Sequence, residues 1–137
     1  MPTTQPSIKE QLTALTHRIV ESIDNRDYET YTQLTAPDLT AFEPEGKGAP
    51  IHGMPFHEFF LSRANRPGTT VRSELINIHI RTIGDESNPP AAVATYTRIT
   101  QKHDADGSFR LTHANETRVY ERHNNNWRQI HFHRTAY

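Results

Sequence analysis

The chain has 137 residues, 34% of them hydrophobic, which is enough for one domain that buries roughly two-thirds of the surface its unfolded form exposes. Its 15 Lys and Arg nearly cancel its 16 Asp and Glu, and a formal net charge of -1 gives no reason to expect nucleic acid or an anionic membrane as a partner. With no cysteine there are neither disulfides nor thiolate zinc sites, and with no signal-peptide or membrane-span pattern the chain reads as a soluble, cytoplasmic one.

Residues 1–7 hold two prolines and little that can pack, so a disordered lead-in is expected before a single domain over 8–137. Ser7 suits the N-cap of a long helix, in which Ile8, Leu12, Leu15, Ile19 and Ile23 recur at three- and four-residue intervals. The pattern breaks from Asp24 to Asp27, and Tyr28, Tyr31 and Leu34 mark a second, short helix that Pro37 is expected to stop. Leu39 to Phe42 reads as a short strand and Glu43 to Pro50, with Gly46, Gly48 and two prolines, as a loop. Pro55 fits the first position of a third helix that places Phe56, Phe59 and Phe60 on one side. From Val71 to Ile83, Ile76, Ile78 and Ile80 alternate with polar neighbours as in a strand. Further strands are expected at about Ala92–Lys102, Phe109–His123 and Trp127–Thr135. Helices first and strands last predict an α+β domain with the helices on one face of an antiparallel sheet.

Side chains alternate across a strand, so Tyr96 with Arg98, Arg118 with Tyr120, and Ile130 and Phe132 with Arg134 should share faces. Arginine is rarely buried without a partner. Three on apolar sheet faces therefore point to a cationic cavity that holds an anion, a carboxylate or another subunit's charge; alternatively Glu116, Glu43 or backbone carbonyls satisfy them internally. His131 and His133 project to one face, opposite Ile130 and Phe132, but no third ligand is fixed by spacing, and no metal is expected.

The segments Leu39-Thr40-Ala41-Phe42-Glu43-Pro44-Glu45, Gly53-Met54-Pro55-Phe56-His57, Tyr96-Thr97-Arg98-Ile99-Thr100-Gln101, Glu116-Thr117-Arg118-Val119 and His131-Phe132-His133-Arg134 resemble the association domain of calcium/calmodulin-dependent protein kinase type II, in order and at compatible spacing. The resemblance runs from about Ile8 to Arg134. It implies a nuclear transport factor 2-like (cystatin-like) cone, with a curved antiparallel sheet wrapped around the long N-terminal helix. It also implies a non-catalytic hub without cofactor, whose subunits form stacked rings of dodecameric or tetradecameric type and cluster kinase domains or kinase subunits. No glycine-rich phosphate loop, His-Arg-Asp or Asp-Phe-Gly occurs in the chain. In the family, arginines matching Arg98, Arg118 and Arg134 line a central cavity, and a histidine matching His57 stands near its mouth. The ligand so implied is a small carboxylate or an acidic peptide group, with the arginines as anion clamps and His57 as a further donor.

Two other readings of the same cavity are an enzyme of the ketosteroid isomerase or dehydratase type, with His57 and Asp38 or Glu43 as acid and base, and a monomeric small-acid-binding module. The chain also departs from the family pattern. Glu58 replaces a basic residue, the stretch Arg63 to Thr69 lacks a tryptophan, Asn88-Pro89-Pro90 lengthens a turn and Tyr120 replaces a tryptophan. Such changes shift the angle between neighbouring subunits, so an unusual subunit count is compatible with the sequence.

Overall fold

In a computed structural model, which describes residues 5–62 and 68–137, helix α1 (Ile8–Asp24) starts at a capped turn. The Ser7 hydroxyl accepts from the Glu10 backbone N–H at 3.1 Å and donates to the Glu10 carboxylate at 3.1 Å, satisfying one of the orphan donors of the first turn. Leu12, Leu15 and Ile19 form the buried stripe. Asp27 caps the short α2 (Tyr28–Gln33) by accepting from the Thr30 N–H and hydroxyl, and this turns Tyr31 into the core. The chain is already extended at Thr35, so it is not Pro37 that ends the helix. Pro37 lies inside strand β1 (Thr35–Phe42), where the pairing with the neighbouring strand lapses between Thr35 and Thr40 and its missing N–H costs no ladder bond.

A 3-10 turn (Pro44–Gly46), a two-residue strand β2 (Ile51–His52) and helix α3 (Pro55–Leu61) follow. The face that α3 buries carries His57 and Leu61, four residues apart. Phe59 and Phe60 are exposed and Phe56 is half-buried, so the expected phenylalanine face is not the one that meets the core. The long strands β3 (Thr70–Ile83), β4 (Ala91–His103), β5 (Phe109–His123) and β6 (Asn126–Ala136) complete a six-stranded sheet in the order β2-β1-β6-β5-β4-β3. Pairing is antiparallel throughout except between β1 and β6, which run parallel, so the sheet is mixed at one seam. The expected loss of a tryptophan falls mostly on residues 63–67, which lie outside the described residues, as do 1–4 of the lead-in.

Two bulges bend the sheet. In β3, Asn77 takes a positive φ of 57° and the register to β4 shifts between Ile76 and His79. Ile78 and Ile80 consequently pack on the core, whereas Ile76, paired with Thr97, faces the other side. In β6 the register shifts between the partners of Val119 and Tyr120, which leaves Ile130 unpaired and brings Gln129 opposite Tyr120. Phe132 and Arg134 share the inner face as expected; Ile130 does not join them. α1 lies across the inner face, chiefly against β3, with Ala92 and Ala94 of β4 giving the small surface that a helix can approach closely. The Thr16 hydroxyl of α1 and the Tyr120 hydroxyl of β5 are 2.6 Å apart, which pairs two buried polar groups in that layer.

Candidate functional site

Strand register brings the polar residues of the inner face together. Tyr96, Glu116 and Arg134 lie in one row across β4, β5 and β6; Ala94, Arg118 and Phe132 lie in the next. Alanine opposite Arg118 leaves room for the longer side chain. Glu116 is the centre: it accepts from the Tyr96 hydroxyl at 2.6 Å and from Arg98 and Arg118 at 3.3 Å each. Burial raises its pKa, but the guanidinium of Arg118 and then that of Arg98 outweigh burial and hold the carboxyl below its ordinary value. Burial pushes the Tyr96 phenol up, which keeps it neutral and able to donate.

Arg118 is wholly enclosed. Its Nε donates to the Tyr96 hydroxyl at 2.7 Å, one arm to Gln129 Oε1 at 2.6 Å and the other to Glu116, while its guanidinium lies 4.3 Å from the Phe132 ring centroid. Gln129 is in turn fixed by donating to the Thr35 hydroxyl at 2.8 Å. Arg98 joins Glu116 to the C-terminal residue of α1, donating to Asp24 at 2.5 Å and to the Ser73 hydroxyl at 2.9 Å. An acidic residue at the negative end of a helix is unfavourable unless a cation answers it, and Arg98 is that cation.

Arg134 stands apart from this network. Its carboxylate partner is Glu45, on the 3-10 turn outside the sheet, and its buried Nε has no hydrogen-bond partner. Burial raises the pKa of Glu45, yet the bond from Arg134 brings it below the ordinary value. His57 is buried beside Tyr31, with ring centroids 5.4 Å apart, and its Nε2 lies 3.7 Å from Glu43, beyond hydrogen-bonding distance. Both His57 ring nitrogens lack a partner, as does the buried Tyr31 hydroxyl, whose pKa burial pushes up to about 12.

These groups border a cavity of about 220 Å³, with Tyr31, Leu61 and Phe132 among its apolar walls and Arg98, Arg134 and His57 among its polar ones. Arg118 does not reach it; Phe132 lies between. Three of the four expected residues therefore meet at the cavity and the fourth supports it from beneath. Asp24, Glu43 and Glu45 border it too, so the charge of the arginines is largely answered from within. Of the internal partners expected from the sequence, Glu116 does hold Arg98 and Arg118, whereas Glu43 lies nearest His57 and pairs with no arginine; Asp24 carried the signal of a misplaced helix-end charge, and Glu45 carried none.

On the other sheet face, His131 Nδ1 is 2.7 Å from the Thr40 hydroxyl and its pKa is lowered by burial and by His133. Among the described residues no three His, Asp or Glu side chains come together as metal ligands. No helix among them is long and apolar enough to cross a membrane.

The sequence profile of the calcium/calmodulin dependent protein kinase II association domain matches residues 8–137. The delta subunit of calcium/calmodulin-dependent protein kinase type II from Oryctolagus cuniculus is 37% identical over 132 residues, which cover 93% of this chain and 24% of that subunit. The chain thus spans about a quarter of that relative. The CaMKII hub homology domain of Chlamydomonas reinhardtii is 31% identical with a TM-score of 0.85, covering 96% of this chain and 99% of that one. An NTF2-like protein from Cytophaga hutchinsonii, at 16% identity and a TM-score of 0.75 over 96% of this chain and 100% of its own, shares the fold alone. With a profile match over nearly its whole length, the chain belongs to the calcium/calmodulin-dependent protein kinase II association-domain family.

Proposed function

We propose that this chain is an oligomerisation hub that closes into stacked rings and clusters kinase domains or other partners, and that its cavity accepts a small carboxylate or an acidic peptide group. The family match over 8–137 carries the first part. Two features of the surface support it. β3 ends the sheet as an open edge, and Ile83, Phe109 and Leu111 expose large apolar side chains on the long strands. Native mass spectrometry at low micromolar concentration tests it: a closed species of about ten or more subunits is expected, as a ring of this kind requires. A monomer or dimer would overturn the hub reading.

The second part is carried by His57, buried at the cavity with both ring nitrogens unpartnered, facing the same space as Arg98 and Arg134. A buried polar group without a partner costs about 1–3 kcal/mol, and a bound acceptor relieves that cost. Apolar walls around two guanidinium groups fit a carboxylate on a short apolar body.

A further inference from the structure

An incoming carboxylate meets a cavity whose cations already have partners, so it must displace one of them. The candidates differ sharply in what displacement would cost. The side chains of Asp24 and Glu116 are 7% and 0% exposed, each bound to arginines inside the protein, and neither can be moved without opening the core. Glu45 is different: its side chain is 39% exposed and returns to water if released. It also sits on a turn outside the sheet, closed by local bonds from Gly46 to Glu43, from Lys47 to Pro44 and from Ala49 to Gly46, with Lys47 and Gly48 both at positive φ.

We infer that Glu45 is a tethered competitor: its carboxylate occupies Arg134 in place of a ligand, and a small carboxylate binds by displacing it, so that cavity occupancy is coupled to the position of residues 44–50. The inference rests on the reading of the cavity as a carboxylate site. Arg134 is suited to the exchange because a single carboxylate holds it and its buried Nε remains open for a second bond, which a ligand lying across the fork would take. The turn leads into β2, the short strand at the opposite edge of the sheet from β3, so displacement inside the cavity is carried to an edge that other molecules can touch.

A competitor that fills the site in most molecules weakens apparent affinity by the fraction of time the site is open. Pentanoate titrated by calorimetry into the full chain, into Glu45→Gln and into Glu45→Gln/Arg134→Gln tests this. Glu45→Gln should bind roughly tenfold more tightly than the native chain, and the double variant should lose that gain. Amide exchange at Gly46, Lys47 and Ala49 should quicken in the native chain when pentanoate is added and be fast in Glu45→Gln without it. Saturable binding by the native chain with Glu45→Gln no tighter, or with exchange at the turn unchanged, would overturn the competitor and leave the site standing. No binding by native or variant would overturn both. Binding by Glu45→Gln alone would support both.

Discussion

Arg98 and Arg118 form the closed half of the arginine cluster and Arg134 the open half. All three follow the same strand periodicity, yet the first two share the buried Glu116 with Tyr96 while the third is held by one exposed carboxylate from a turn. The difference shows that an inward-facing arginine says little about function until its partners are known. The closed half is structural chemistry, in which each arginine is answered by a buried carboxylate, although Arg98 also borders the cavity. The open half keeps an unfilled donor and a replaceable partner beside a cavity.

The largest effect should come from breaking the closed half. Glu116→Ala leaves two buried guanidinium groups without their shared carboxylate, and urea unfolding should show a loss of about 3–5 kcal/mol. A loss below about 1 kcal/mol would mean that water enters the cluster and that the two halves are alike. Next comes acid. Glu116 has a folded pKa below its unfolded one, so its stabilisation is fully present above the ordinary carboxylate value of about 4.3 and is lost as pH falls through the lowered value. Unfolding free energies measured from pH 6 down to pH 3 should therefore decline below about pH 4.3; a flat profile would remove the closed half's electrostatic character. The smallest effect belongs to the open half, where Glu45→Gln should change stability by no more than about 1 kcal/mol because the pair is partly solvated.

Much of this arrangement was legible in the sequence. The apolar spacing of α1, the Ser7 cap and the long strands follow from local periodicity and capping chemistry. Alternation placed Arg98, Arg118 and Arg134 on the inner face, and the resemblance supplied His57. What could not be read depends on residues distant in the chain. Asp24 reaches Arg98 across the helix-to-sheet packing, Glu45 reaches Arg134 only once the turn folds over β6, and the parallel pairing of β1 with β6 joins the two ends of the domain. The bulges at Asn77 and Ile130 shift alternation by one residue, and an asparagine within an apolar run gives only a faint sign of that.

The shared carboxylate has another consequence, for the order in which the chain finds its shape. β4 and β5 pair over more than a dozen residues, and much of their length is threonine, valine and alanine that would fit several alignments. A slip by one residue would turn Glu116 and Arg118 to the outer face and strip Arg98 of one of its two carboxylates, an error with a large electrostatic penalty. The Tyr96–Glu116–Arg118 network thus acts as a key that only one alignment of the hairpin fits. A chain lacking it would be expected to fold more slowly and to trap misaligned hairpins, even where the finished domain remained stable.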